Sequence, residues 1–196
     1  MNTKIEKEYE ARSMISEEKY FEIASDFYRR NPHLKVIVQK NQYFDTEDLY
    51  LTNHNIVLRI RVNSRGAILT LKIGNGEHEA KEISQKISYF QHKALIEKSH
   101  FPKGQVKLSI MGMGIPTQSV KYICDVKTKR TQIDGEGYNY CVDENEYRGI
   151  KDYNIEVESH SVEDALKRLK ELAKQYNFEI TKDYVVKSKR AILKKE

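Results

Sequence analysis

The fold is decided near the start of the chain by the segment Lys4-Ile5-Glu6-Lys7-Glu8-Tyr9-Glu10-Ala11-Arg12. Side chains of a β-strand point alternately to its two faces, so Glu8, Glu10 and Arg12 share one face. A half-buried strand normally keeps its apolar residues inside and its charged residues in solvent. Taken alone, this segment is equally compatible with a solvated outer face and with a charged inner face.

The same alternation of charged and apolar residues recurs in later segments that are rich in β-forming residues. The charged members of these segments are Arg59 and Arg61, Lys72, Glu156 and Glu158, and Lys187 and Lys189. One such segment would mean little, but repeated charges at period two predict a β-sheet with one charged face.

The charged face contains groups of both signs, which indicates the chemistry it supports. Its carboxylates are Glu8, Glu10, Glu156 and Glu158. Clustered carboxylates stay ionised only beside cations, and all-oxygen ligands suit Mg²⁺ or Mn²⁺. Arginine and lysine side chains on the same face attract anions, and the guanidinium group matches phosphate oxygens bidentately. These residue types at this spacing predict a site for a metal-chelated polyphosphate.

An ordered series of short motifs extends from residue 8 to residue 191. The series begins with Glu8-x-Glu10-x-Arg12, Tyr43-Phe44-Asp45-Thr46, Leu58-Arg59-Ile60-Arg61 and Leu69-Thr70-Leu71-Lys72. It continues with Thr128-Lys129-Arg130, Asp143, Tyr147-x-Gly149, Asp152, Glu156-x-Glu158 and Lys187 to Ala191. In this order the motifs resemble those of the CYTH superfamily, also called the triphosphate tunnel metalloenzymes. That superfamily takes its name from bacterial adenylate cyclases and thiamine triphosphatases.

This resemblance implies a metal-dependent enzyme that acts on triphosphates, with Mg²⁺ or Mn²⁺ as cofactor. The implied metal ligands are Glu8, Glu10, Glu156 and Glu158, with Asp143 as a further candidate. The implied substrate-binding cations are Arg59, Arg61, Lys72, Arg130 and Lys187. Glu8, Glu10 and Arg12 form the expected catalytic group.

One position departs from the family pattern, because the signature lysine is replaced by Arg12. A guanidinium group does not lose its proton near neutral pH, so a mechanism that needs a neutral amine there is not expected. Stabilisation of negative charge by Arg12 remains compatible with the chemistry. The alternative register, Glu6-x-Glu8-x-Glu10, would remove the cation from the motif altogether.

Hydrophobic periodicity and turn residues predict an α+β fold of about eight antiparallel strands with helices between them. This fits the closed antiparallel eight-stranded β-barrel, with helices packed outside, that the family resemblance implies. Hairpins are expected over 56–73 and 120–143, with single strands over 36–44, 77–85, 152–159 and at Val185-Val186. A terminal helix or tail is expected after Val186. Helices are expected after Ser16, Ser88 and Ser161, and a short helix is favoured within 102–115. An eight-stranded barrel encloses side chains or one small ligand. Inward charges would require a wet tunnel that holds ions.

The bulk properties of the chain exclude several classes of protein. Its 196 residues predict a single domain over 1–196. A net charge of +5 that includes 29 acidic residues argues against a nucleic-acid-binding surface. No apolar run reaches the ~18 residues of a membrane span, and two cysteines do not form a disulfide framework. We therefore expect a cytoplasmic monomer or homodimer with reduced thiols.

Three functions remain open at this point. The leading one is a triphosphatase that hydrolyses inorganic triphosphate or a small organic triphosphate. An adenylate cyclase would use the same metals, but it needs a base-recognising pocket that no sequence feature identifies. The third is a non-catalytic module that binds polyphosphate or nucleotide, which the presence of four metal-type carboxylates disfavours.

Overall fold

The computed structural model describes residues 3–34 and 36–194. Within them the chain forms a closed eight-stranded antiparallel β-barrel with six helices, in the strand order β1-β5-β4-β3-β2-β6-β7-β8. The strands are β1 (Thr3–Ile15), β2 (Ile37–Asp45), β3 (Ile56–Asn63), β4 (Gly66–Gly74), β5 (Glu79–Ile87), β6 (Lys121–Gly135), β7 (Tyr138–Tyr147) and β8 (Ile150–Ser159). The helices are α1 (Glu17–Arg30), α2 (Tyr50–Asn53), α3 (Tyr89–Lys98), α4 (Gln105–Gly112), α5 (Val162–Tyr176) and α6 (Lys187–Leu193). The predicted fold class is confirmed.

Serine residues start the three longest helices, as the sequence predicts. The Oγ atoms of Ser16, Ser88 and Ser161 accept hydrogen bonds from backbone N–H groups three residues later. At Ser88 the side chain of Gln91 also binds back to the serine N–H, which completes a capping box. These bonds satisfy N–H groups that have no partner within the helix. The favoured short helix within 102–115 is confirmed as α4.

The C-terminal segment differs in part from the sequence-based expectation. Val185 and Val186 form no strand. The expected terminal helix is present as α6, and it contains Lys187 and Lys189, which the sequence pattern had placed in a charged strand row. Residues two apart on a helix are separated by about 200° of rotation around its axis, so the two lysines do not lie in one row on a shared face. The prediction of a strand rested on the β-propensity of two valines. Such propensity acts only where a partner strand is available.

The contacts of the chain group into two compact units, which we describe separately. The first unit comprises the described residues of Met1–Lys7, Lys40–Val126 and Lys187–Glu196. Its core is formed by one face of strands β2 to β5 together with helices α2, α3 and α4. The buried members of this core include Leu58, Ile60, Leu69, Leu71, Ile83, Leu95, Val106 and Ile110. The strand residues between these positions therefore point away from the helices.

The second unit comprises the described residues of Glu8–Gln39 and Lys127–Val186. Here one face of β1, β7 and β8 packs against α1 and α5. Its buried apolar residues include Ala11, Val142, Ile155 and Val157 on the strands and Ile23, Phe27, Leu169 and Leu172 on the helices. Because this apolar set occupies one face, the alternate residues of the strands form an opposite, polar face.

A two-residue turn sets the register of the β7–β8 hairpin. Arg148 and Gly149 both have positive φ, at 45° and 71°, as a type I′ turn requires. The turn places Tyr147 opposite Ile150, and the ladder then brings Cys141 opposite Glu156. A slip of one residue would carry Glu156 to the apolar face, so this turn fixes where the acidic row points.

Helices α1 and α5 of the second unit are joined at the buried carboxylate of Asp26. The hydroxyl of Tyr176 donates a 2.6 Å hydrogen bond to its Oδ2 atom. Arg30 lies 2.6 Å from the same oxygen, and Arg29 pairs with the other. The bond from Tyr176 and the two arginines lower the pKa of Asp26 below its ordinary value.

We expect Tyr176→Phe to lower the free energy of unfolding at neutral pH by about 1.5–3 kcal/mol, the usual contribution of a hydrogen bond to a charged group. The pKa of Asp26 is lower in the folded state than in the unfolded state. The ionised carboxylate therefore stabilises the fold fully above the unfolded pKa of about 4, and this stabilisation is lost as the pH falls through the pKa of the folded state. Urea titrations at decreasing pH measure both effects. The control Tyr89→Phe, at an exposed tyrosine, should match wild type, and a Tyr176→Phe protein equally stable at neutral pH would contradict the expectation.

Candidate functional site

The polar face of the second unit brings two acidic rows side by side. Strands β1 and β8 are paired so that Glu10 lies opposite Glu158 and Arg12 lies opposite Glu156. Glu10 and Glu156 are buried, with 5% and 8% of their surface exposed, whereas Glu158 is half-buried. The antiparallel ladder thus joins the start of the chain to a strand almost 150 residues later.

Three of these carboxylates are close enough to share one cation. Glu10, Glu156 and Glu158 each offer a carboxylate oxygen, and these oxygens lie within 4.8 Å of one another. Opposite ligands of one Mg²⁺ ion are about 4.2 Å apart, twice the bond length of about 2.1 Å. The all-oxygen donor set and its spacing therefore fit Mg²⁺ or Mn²⁺. Glu8 and Asp143, which the sequence also predicts as ligands, are not members of this group among the described residues.

Arg130 is the central cation of this face. It donates from Nε and Nη2 to the two carboxylate oxygens of Asp143, both at 2.8 Å, and it also donates to Glu156. Its Nη1 atom lies 3.9 Å from Glu158. Burial alone would lower the pKa of Arg130, but the charges of Asp143 and Glu156 outweigh burial and raise it above the ordinary value. Arg130 therefore stays charged and holds the acidic groups together.

Ion pairs with guanidinium groups hold the carboxylates of this cluster together. Four carboxylates meet here, those of Glu10, Asp143, Glu156 and Glu158, and they pair with Arg12 and Arg130.

Arg12 lies beside the acidic cluster and does not simply extend into solvent. It forms an ion pair with Glu10, and its side chain is 13% exposed. Its guanidinium carbon also lies 5.9 Å from the centre of the Tyr184 ring, within the range of a cation–π contact. These contacts hold a permanent positive charge next to a predicted metal ligand.

The first unit carries a cationic polar face of its own. Arg59 pairs with Thr70 in the β3–β4 ladder, and Lys72 two residues on shares the face of Thr70. Arg59 donates to Glu82 at 3.3 Å, and the Nε atom of Arg61 donates to Asn41 at 3.2 Å. The structure thus brings Arg59, Arg61 and Lys72, predicted from separate motifs, onto one face opposite the helix-packed core.

Glu82 is the member of this face whose position the sequence pattern does not settle. It lies opposite Lys72 in the β4–β5 ladder and also accepts a 2.8 Å hydrogen bond from Ser84. Lys81 points to the other face and is exposed. Ile83 and Ile87 mark the buried face of β5. The sequence also places polar Gln85 on that face and apolar Ala80 on the other, so the pattern alone does not show which way Glu82 points.

Lys187, also predicted to bind substrate, begins helix α6 of the first unit and is half-buried. Cys124 and Cys141 are buried and are not joined by a disulfide bond. Cys141 lies in the ladder opposite Glu156, and its thiol donates to Gln132 at 3.6 Å. Burial raises the pKa of Cys141 well above the ordinary value, so it remains a neutral thiol beside the acidic cluster.

The structure is thus a closed eight-stranded antiparallel barrel that carries a carboxylate cluster able to hold a metal ion and a separate row of cations. The CYTH domain family model matches residues 6–187. The chain therefore belongs to the CYTH domain family.

Relatives match over almost the full chain. A protein of Bacillus subtilis named "Putative triphosphatase YjbK" is 26% identical over 172 residues, which cover 87% of this chain and 86% of that relative. The crystal structure of a "putative adenylate cyclase" from Bacillus halodurans has a TM-score of 0.85 at 30% identity, covering 95% and 97% of the two chains. A "putative adenylyl cyclase" from Hippeastrum, whose structure is described with a dominant triphosphatase activity, has a TM-score of 0.72 at 20% identity, covering 93% and 92%, and shares the fold.

Among the described residues, no helix is long and apolar enough to cross a membrane.

We expect Arg130→Ala to lower the free energy of unfolding by about 3–5 kcal/mol, because Asp143 and Glu156 would lose their buried guanidinium partner. Urea unfolding of the metal-free protein measures this change. Arg65→Ala, at an exposed arginine of the β3–β4 turn, is the matched control and should change stability by no more than about 0.5 kcal/mol. Equal losses in the two variants would show that Arg130 has no special role in the cluster.

Proposed function

We propose that this protein is a metal-dependent triphosphatase that hydrolyses inorganic triphosphate or a small organic triphosphate. The observation that carries the proposal is the group formed by Glu10, Glu156 and Glu158, whose oxygens converge within 4.8 Å. Membership of the CYTH domain family and the relative named a putative triphosphatase support it.

In this proposal the acidic face of the second unit holds Mg²⁺ or Mn²⁺. Glu10, Glu156 and Glu158 supply the ligands, and Glu8 and Asp143 are the further candidates. A bound divalent ion would neutralise phosphate oxygens and polarise the attacking water. Arg12 contributes fixed positive charge beside Glu10, in place of the lysine of the family signature, and takes no part as a base.

The cations bind the phosphate groups of the substrate. Arg59, Arg61 and Lys72 lie on one face of the first unit, where Glu82 and Asn41 hold the two guanidinium groups in place. Arg130 and Lys187 are the further proposed contacts. Pre-positioned cations stabilise the charge that develops on phosphate oxygens in the transition state, and they need not reorganise during the reaction.

The reaction itself is a displacement at the terminal phosphorus. The oxygen of a water molecule bonds to this phosphorus as the bond from phosphorus to the bridging oxygen breaks. The bridging oxygen leaves with the remaining diphosphate, and the water gives up its protons to solvent or to the products. The protein residues bind and orient the substrate and neutralise its charge, so no covalent intermediate with the chain is needed.

The first test of the proposal is metal dependence. Phosphate release from inorganic triphosphate should be abolished by EDTA and restored by Mg²⁺ or Mn²⁺. Glu158→Gln should weaken Mn²⁺ binding and lower the rate while the protein stays folded, because Glu158 is the least buried of the three ligands. Glu163→Gln, at an exposed carboxylate of helix α5, is the control and should behave as wild type. Full turnover in excess EDTA would refute the proposal.

The second test concerns the cationic face of the first unit. Arg59→Ala and Lys72→Ala should each lower kcat/KM by about tenfold to a hundredfold, the equivalent of about 1.5–3 kcal/mol for a charge-assisted hydrogen bond. Inorganic triphosphate should raise the unfolding temperature of wild type more than that of either variant. Lys81→Ala is the matched control, because Lys81 lies exposed on the opposite face of β5. If all three variants keep wild-type kcat/KM and protection, the cations do not bind substrate.

The second candidate function is an adenylate cyclase, favoured by the similarity to the Bacillus halodurans protein. The two functions share metal and triphosphate but differ in the nucleophile, which is water in one and the ribose 3′-hydroxyl in the other. A panel of inorganic triphosphate, nucleoside triphosphates and thiamine triphosphate, assayed with Mn²⁺ for phosphate and for cyclic AMP, separates them. Binding without either product would instead indicate a non-catalytic module.

A further inference from the structure

A chain of buried hydrogen bonds in the second unit ends at the carboxylate of Glu156. Thr128, Asn145 and Asn154, on strands β6, β7 and β8, are each 0% exposed. The hydroxyl of Thr128 donates to the Oδ1 atom of Asn145 at 2.9 Å, and the Nδ2 atom of Asn145 donates to Asn154 at 2.7 Å. Nδ2 of Asn154 then donates to the Oε1 atom of Glu156 at 3.2 Å.

Asp152 fixes the direction in which these hydrogen bonds run. Its carboxylate accepts from the Nδ2 atom of Asn145 at 2.9 Å and from the hydroxyl of Tyr147 at 2.6 Å. The NH₂ group of Asn145 must therefore face Asp152 and, on the same side, Asn154. Asn154 consequently presents its oxygen to Asn145 and its NH₂ group to Glu156. One series of donated hydrogen bonds therefore runs from Thr128 through Asn145 and Asn154 to the carboxylate of Glu156.

Glu156 is thus held at both oxygens by different donors. Asn154 binds Oε1, and Arg130 binds Oε2. Each carboxylate oxygen has a second lone pair, so neither bond prevents the carboxylate from serving as a ligand. Two donors on separate strands define the plane and rotamer of Glu156 before any ion arrives.

We propose that Asn154 and Asn145 are positioning residues that pre-orient Glu156 for a divalent cation, with Thr128 as the anchor of the chain. None of the three belongs to the carboxylate group itself. The inference rests on the proposed metal site and adds to it a set of residues that control its affinity. Neighbours that orient a ligand in this way commonly change metal affinity by about 10-fold to 100-fold when they are removed.

A purely structural role is the alternative for these residues, because any buried amide needs hydrogen-bond partners. Such a role predicts lower stability without a change in metal affinity. Thr128 is the useful position for separating the two roles, since Thr128→Val keeps the shape of the side chain and removes only the hydroxyl donor. Gln85 supplies a matched control: it is a buried amide of the first unit that binds Lys103 and Val106 near helix α4.

The experiment measures binding of Mn²⁺ alone to the metal-free, full-length protein by titration calorimetry and by the electron paramagnetic resonance signal of free Mn²⁺. Thermal unfolding is followed in parallel. Asn154→Ala should weaken Mn²⁺ binding by about 10-fold to 100-fold, and Thr128→Val should weaken it in the same direction by a smaller factor. Gln85→Ala should unfold at a lower temperature but bind Mn²⁺ as wild type does.

Wild-type Mn²⁺ affinity in both Asn154→Ala and Thr128→Val would overturn the inference and leave the proposed function standing. If Asn154→Ala does not fold, the affinity of Thr128→Val decides between a positioning role and a structural one. Equal weakening in Gln85→Ala would also overturn the inference, because the effect would then follow from stability alone. If wild type itself binds no Mn²⁺, the proposed metal site fails, and the positioning role fails with it.

Discussion

The structure of the second unit depends on the bidentate ion pair between Arg130 and Asp143. Asp143 has no exposed surface, and a buried carboxylate without a cation costs several kcal/mol. Arg130 satisfies it through two parallel 2.8 Å bonds and extends the same guanidinium group to Glu156. One cation thereby allows acidic residues of two strands to be buried together.

This arrangement is possible because the strands of each unit have two different faces. The apolar residues are committed to the helices, so that Ile155 and Val157 pack with α1 and α5 while Glu156 and Glu158 point the other way. The register enforces the separation, since the turn at Arg148 and Gly149 aligns β7 with β8. In the first unit the same alternation leaves Arg59, Arg61 and Lys72 opposite the core. One rule of strand geometry thus yields an acidic face in one unit and a cationic face in the other.

Much of the candidate site could be predicted from the residue pattern alone, and the reasons differ from residue to residue. Glu10, Glu156 and Glu158 were found because charges that recur at period two within β-forming segments indicate a charged sheet face. Glu82 could not be placed, because the pattern around it is broken by Ala80 and Gln85. The buried polar residues that lead to Glu156 carry no charge, and their significance comes from hydrogen bonds between strands. Such bonds depend on pairings that no local spacing encodes; the residues concerned are Thr128, Asn145 and Asn154.

The sequence by itself determined the alternating strands, the serine-capped helices, the closed-barrel class and the family, because these follow from local periodicity, capping chemistry and an ordered set of motifs. Only the tertiary structure decided that Glu10 meets Glu158 across a ladder, that Arg130 binds Asp143 and Glu156, and that Lys187 begins a helix and not a strand. The physical reason is that a strand pattern fixes which face a side chain occupies. Which residues become the neighbours of that side chain depends on the partner strand and on the pairing register, and contacts between residues distant in the chain determine both.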